Sequence, residues 1–150
     1  MSVVVDNLRS LYNIGSIFRT ADAVLIDKIY LCGISGAPPN KEIEKVALGA
    51  VNTVPFEYCK NTVDIIERLK KEGRTIVAIE LTNNSINYKK YQWKTPMALV
   101  LGNEVDGVGD NVIEKCDAAV DIPMNGRANS LNVATAFAVV AYEIYSRFND

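Results

Sequence analysis

The stretch "MALVLGNEVDGVGDNVIEKCDAAVDI", residues 97–122, sets the architecture. It opens with "MALVL", five apolar residues in succession rather than in alternation, the mark of a strand covered on both faces of its sheet. "DNVIEKC" follows with a helical pattern and Asp110 as the N-cap signal. "AAVDI", residues 118–122, returns to a β-rich run. Strand, helix and strand in succession predict an α/β fold with a mostly parallel sheet flanked by helices.

The rest of the chain repeats this alternation. "VVV" (3–5), "KIYLC" (28–32), "TVPF" (53–56) and "TIVAIE" (75–80) read as strands. "NIGSIFRTADAVLI" (13–26), "KEIEKVAL" (41–48), "TVDIIERLKKEG" (62–73, with Gly73 as C-cap signal) and "SLNVATAFAVVAYEIYSRF" (130–148) read as helices. No internal repeat, low-complexity segment or Pro/Gly/Ser-rich linker divides the chain, so a single domain over residues 1–150 is expected. Fold rules alone would leave the sheet doubly wound and unknotted.

Composition narrows the function classes. A chain of 150 residues, 49% apolar and 23% charged, suits one domain with a real core. No apolar run approaches the roughly 20 residues of a membrane span. The opening "MSVVVDNLRS" lacks a basic region followed by an apolar one. A cytoplasmic protein with no membrane partner is therefore expected. Cys32, Cys59 and Cys116 are odd in number and far apart, with no CxxC pair, which argues against a disulfide framework or a metal site. The chain has no histidine. Proton transfer near neutral pH must use another group, the substrate or water. A net charge of −2 argues against a surface coated in positive charge for nonspecific nucleic-acid binding, while leaving room for a local basic patch. "ERLKKEGR" (67–74) reads as a solvated helix end, because Glu67 and Glu72 interleave its cations.

Three stretches carry candidate chemistry. In the opening helix, Ile14, Ile17, Phe18, Ala21, Val24 and Leu25 form one apolar face, and Arg19 projects away from it. Its neighbours Gly15, Ser16 and Ala23 are small, as if to let something come close. After "MALVL", Gly102 ends the strand where backbone can approach a ligand. The adjacent Asn103 and Glu104 would be costly to bury without partners. This loop is neither GxGxxG nor a phosphate-cradling P-loop, and a plain turn with a solvated Glu is the alternative. After "AAVDI" comes "PMNGRANSLN" (123–132), where Asn129 or Ser130 serves as N-cap. That leaves Asn132 unexplained inside the first turn, beside backbone N–H groups suited to an anion.

"NIGSIFRTADAV", "LVLGNEVDGVGD" and "IPMNGRANSLNVATAFAVVAYE" resemble, in order and spacing, the three motifs of the SpoU (TrmH-type) branch of the SPOUT RNA methyltransferases. "ALGAVNTVPFEY" and "VAIELTNNS" are similar to the middle of that branch, so the resemblance spans essentially the whole chain. It implies methyl transfer from S-adenosylmethionine to a ribose 2′-hydroxyl of tRNA, or of rRNA as second choice, leaving S-adenosylhomocysteine, with no metal. It also implies a deep C-terminal trefoil knot and a homodimer whose active site is completed across the interface. Many relatives add an N-terminal RNA-binding domain; none is expected here. Carried over, the catalytic positions fall on Arg19, Asn103, Glu104, Ser130 and Asn132. The cofactor contacts fall around Leu81, Gly102, Ile122, Met124 and Leu131. Leu25 departs from the pattern, standing where the family often has glycine. A catalytically silent RNA-binding homologue and a non-methylating nucleotide-binding α/β enzyme are the alternatives.

Overall fold

The computed structural model describes residues 1–149 and contains one seven-stranded sheet. The chain runs β1 (Ser2–Asp6), α1 (Leu11–Ala23), β2 (Ile29–Cys32), α2 (Lys41–Ala47), β3 (Phe56–Cys59), α3 (Thr62–Lys71) and β4 (Thr75–Ile79). It continues through β5 (Ile86–Asn87), β6 (Met97–Leu101), α4 (Asp110–Ile113), β7 (Ala118–Asp121) and α5 (Val133–Asn149). The sheet order is β3-β2-β1-β6-β4-β7-β5, and every pairing is parallel. All carboxyl ends therefore meet one edge, where ligands bind in such sheets.

Both faces of the sheet are covered, which is why its strands are apolar residue after residue. In β1, Val3 and Val5 point into a core shared with Ile14, Ile17 and Phe18 of α1, Ile43 of α2 and Phe137 of α5. Val4 points the other way, to Ile66 and Leu69 of α3 and Val112 of α4. The β1, β2 and β6 strands are buried along their whole length. Phe18 meets Phe56 edge-on, with ring centroids 5.6 Å apart.

Several boundaries differ from the sequence reading, each for a local reason. The third strand lies at Phe56–Cys59 rather than 53–56. Residues Ala50–Asn52 form a 3-10 turn, Thr53 Oγ1 donates to Asp22 Oδ1 at 2.6 Å, and Pro55 has no N–H to give a ladder. The two-residue β5 is too short to carry a periodic signal. Asp110 is the first residue of α4 and not its cap; Gly109 holds the cap position with no side-chain bond.

The largest revision concerns the last helix. Asn132, not Asn129 or Ser130, caps α5: its Oδ1 accepts from Ala134 N (2.9 Å) and Thr135 N (3.2 Å), while its carbonyl accepts from Ala136 N (2.8 Å). Residues 130 and 131 remain in the loop. One flank of α5 is buried through Ala134, Phe137, Val140, Ala141 and Ile144, while Ala138 and Val139 stay half-buried and Tyr142 is 53% exposed.

Helix α1 ends in a Schellman motif. Ile26 N bonds to Ala21 O (2.9 Å) and Leu25 N to Asp22 O (3.3 Å), with Leu25 at φ +56°. The same motif closes α3 with Gly73 at φ +83°. Leu25 thus occupies a left-handed position that glycine fills without steric cost.

Candidate functional site

Beyond the carboxyl ends of β4, β6 and β7 lies a cleft of about 850 Å³. Its walls are Ile79–Leu81 after β4, the 101–107 loop after β6, residues 120–124 of β7 and its exit, and the 126–133 approach to α5. Of the sequence-predicted residues, Leu81, Gly102, Asn103, Glu104, Ile122, Met124, Ser130, Leu131 and Asn132 all line it. Arg19 does not. It sits nine residues along α1 from the cap, about 13 Å on at 1.5 Å per residue, exposed and without an ion pair or hydrogen bond among the described residues.

The loop after β6 is built by its own side chains. Asn103 Oδ1 accepts from Val105 N (2.8 Å) and Asp106 N (3.1 Å), and its backbone exchanges two 2.9 Å bonds with Gly107. Asn103 Nδ2 donates to Asn7 O at 2.8 Å, fixing the loop to the exit of β1. From below, Glu80 Oε2 accepts from Val108 N at 2.9 Å. A Cβ on Gly102 would overlap the Gly107–Val108 backbone. This glycine answers first to the chain's own turn, rather than to the ligand approach inferred from sequence.

Glu104 sits in an exposed turn, yet its carboxylate is engaged. Its carboxylate accepts Ser10 N (2.7 Å) and Arg9 N (3.3 Å) at the start of α1, where Ser10 is the N-cap. Partial burial pushes its pKa up, but the backbone N–H groups of Ser10, Glu104 itself and Arg9, with the Asn13 side chain, bring it below the usual value. Asn13, buried in α1, was missed as a site residue: its Oδ1 accepts Asn132 Nδ2 at 3.0 Å. A polar residue on the helix face that carries Ile14, Ile17 and Phe18 was the available signal. One chain of hydrogen bonds thus joins all three motifs, from Glu104 to Ser10 N, from Ser10 Oγ to Asn13 N, and from Asn13 Oδ1 to Asn132.

Asp6, at the end of β1, was missed as well. Buried, it accepts Thr62 Oγ1 (2.6 Å) and Gly109 N (3.3 Å), anchoring the far end of the same loop. The small residue Gly15 also needs a new explanation. A Cβ there would come within 2.7 Å of the Ile43 carbonyl and 2.8 Å of Val46 Cβ, so α2 of the same chain occupies that space. Ser16 is half-buried and Ala23 exposed.

Burial pushes the Cys32 and Cys116 thiols up to about 12 and Cys59 up to about 11, which disfavours the thiolate that a nucleophile needs. Among the described residues no group of three or more His, Cys, Asp or Glu is placed to hold a metal, and no helix is long and apolar enough to cross a membrane.

Known proteins resemble this chain in sequence and fold. A Staphylococcus saprophyticus protein assigned to the TrmH family of tRNA/rRNA methyltransferases is 34% identical over 147 residues, 98% of this chain and 59% of that protein. An AdoMet-bound rRNA methyltransferase from Sinorhizobium meliloti has the same fold, with a TM-score of 0.92 at 32% identity, over 99% of this chain and 56% of the other. The TrmH/SpoU tRNA modifying enzyme of A. aeolicus gives 0.88 at 34% identity, over 97% of this chain and 73% of the other. The chain thus spans less than two thirds of the first two. The SpoU rRNA methylase family model matches residues 1–142, and the chain belongs to that family.

Proposed function

We propose that this chain transfers a methyl group from S-adenosylmethionine to a ribose 2′-hydroxyl of RNA, tRNA first and rRNA second, as a homodimer in the cytoplasm. The proposal includes the deep C-terminal knot of the family. The observation that carries it is the Glu104–Ser10–Asn13–Asn132 chain of hydrogen bonds, which draws three distant motifs to the rim of one cleft.

The cleft fits the cofactor. Its volume suits a nucleoside-sized ligand, and Leu81, 68% exposed, leaves apolar surface open inside a concave site. Leu81, Ile122, Met124 and Leu131 would hold the flat, apolar part, and backbone groups near Gly102 the polar edges. When bound, S-adenosylmethionine supplies an already electrophilic methyl group.

The chain's task is then to orient a weakly acidic hydroxyl and release its proton. Arg19 presents a planar fork of donors. Its role is to orient the hydroxyl or the adjacent phosphate and to stabilise developing negative charge. In a chain without histidine, the proton passes to a substrate oxygen or water. Glu104 and Asn132 hold the α1 and α5 N-termini in register around the cleft, and Ser130 offers a hydroxyl from its exposed loop.

Native mass spectrometry for bound S-adenosylmethionine, and ribose-methylation mapping of total RNA with and without this gene, test the proposal. Cofactor binding with an unchanged RNA map would support the silent homologue instead. Absence of cofactor binding would support the non-methylating enzyme.

A further inference from the structure

From Leu81 to Asn103 the sequence contains no aspartate or glutamate, although acidic residues outnumber basic ones in the whole chain. Lys89, Lys90 and Lys94 lie in that stretch, all exposed and in no ion pair among the described residues. The nearby acids are already engaged. Glu143 pairs with Arg147 at 2.7 Å, Asp121 accepts Ser85 Oγ at 3.0 Å, and Asp117 accepts Ile76 N at 2.7 Å.

The backbone under these lysines is fixed from several sides. Asn87 Oδ1 accepts Lys89 N (2.9 Å), and the Asn87 carbonyl accepts Lys90 N (2.8 Å) and Tyr91 N (3.1 Å). Trp93 Nε1 donates to Tyr88 O at 3.1 Å, and the Tyr91 and Trp93 rings meet edge-on at 4.8 Å. Arg147, near the end of α5, donates to the carbonyls of Lys89 and Tyr91. The turn also starts at the cleft wall, because Tyr88 N donates to the carbonyl of the cleft residue Asp121 at 2.9 Å. The segment then runs from the cleft wall to Pro96, whose carbonyl accepts Thr75 N at the amino ends of β4 and β6. Its three unpaired cations thus form a track leading away from the cleft, with the charge to hold a polyanion that passes through it.

We infer that the 88–94 turn is a second RNA-contacting surface, taking phosphates that flank the methylated nucleotide without reading bases. This rests on the RNA methyltransferase reading above. Lysines act here as point charges, so the contact adds affinity and salt dependence rather than sequence choice.

The test compares wild type with K89Q/K90Q/K94Q. Binding of an oligouridylate of about 20 nucleotides is followed across ~50 to ~300 mM KCl, where phosphate contacts dominate the salt response. Methylation kinetics use total RNA from cells lacking the gene. K41Q/K45Q, whose lysines alternate with Glu42 and Glu44 on α2, is the control. We expect the triple variant to weaken binding on the order of tenfold and to make the log–log salt slope shallower by ~2, at roughly 0.7 per phosphate contact. KM for RNA should rise, with kcat and S-adenosylmethionine binding unchanged. An unchanged slope and KM, an equal loss in K41Q/K45Q, or a wild type with no salt-dependent RNA binding would each overturn the inference. A wild type that binds oligouridylate through these lysines but neither binds the cofactor nor methylates RNA would overturn the parent reading alone.

Discussion

Glu104 and Ser10 are 94 residues apart in sequence, yet the Glu104 carboxylate accepts the Ser10 backbone N–H at 2.7 Å. The loop after β6 therefore closes the N-terminus of α1, satisfying donors that the helix cannot satisfy itself. Asn13, one turn into α1, passes the connection on to Asn132 at 3.0 Å. The cleft is thus held by the same bonds that start two of its flanking helices.

Glu104→Gln tests the charge in that relationship. The folded-state pKa of Glu104 lies below its ordinary value of 4.5, so its contribution to stability is present above that pH and lost as pH falls below it. Wild type should lose more unfolding free energy between neutral pH and mildly acidic pH than the glutamine variant does. Because the side chain is exposed, the difference at neutral pH should stay under about 1 kcal/mol. Parallel pH curves from urea titrations would show that the carboxylate charge plays no part.

Asn132 combines two jobs that a substitution series separates. Asn132→Ala removes the α5 cap and should cost about 1 kcal/mol. Asn132→Ser keeps a capping oxygen but loses the Nδ2 that reaches Asn13. It should recover most of the stability while methyl transfer stays impaired. A double-mutant cycle with Asn13→Ala should show coupling of about 0.5 kcal/mol or more. Full activity in Asn132→Ser would confine Asn132 to capping.

Leu25→Gly should stabilise the chain. Leu25 holds φ +56° and is 73% exposed, so its side chain contributes little burial to offset the left-handed conformation. Relief of roughly 1–2 kcal/mol of backbone strain outweighs roughly 0.5–1 kcal/mol from the more flexible unfolded chain. The gain should appear as a Tm rise of a few degrees, at about 2–4 °C per kcal/mol. A lower Tm would mean that the exposed leucine has an unseen packing role.

The strands were legible because both-face burial leaves an unbroken apolar signature, as in Val3, Val4 and Val5. The cleft residues were legible because polar and glycine residues at strand ends conflict with local propensity. What sequence could not give was the reason for each. Gly15 is small because α2 crosses it, and Gly102 because the 107–108 backbone does; both are contacts between distant segments. Asn132 looks misplaced only when the helix is started at Ser130, three residues early. Asn13 and Asp6 are single polar residues in apolar elements, and only the fold shows which bonds satisfy them.

The last prediction joins Arg19 to assembly. Within one chain Arg19 is exposed and lies off the cleft wall, so a catalytic role needs a second copy to bring it there. The open flank of α5, with half-buried Ala138 and Val139 and exposed Tyr142, provides apolar surface for that contact. Arg19→Ala should fold normally, because it breaks no bond, yet lose at least ~100-fold in turnover. Arg19→Lys should be poor as well, since the planar fork is lost. Leu131→Arg should inactivate by filling the cleft from an exposed loop. When Arg19→Ala and Leu131→Arg subunits are mixed in equal amounts, about half the dimers carry one of each. Each mixed dimer holds a single composite site with both functional parts, so about a quarter of wild-type activity should return in a two-fold assembly. Ala138→Glu should abolish both the dimer and the recovery. Light scattering that gives a monomer mass for fully active enzyme, or mixing without recovery, would return Arg19 to a role within its own chain.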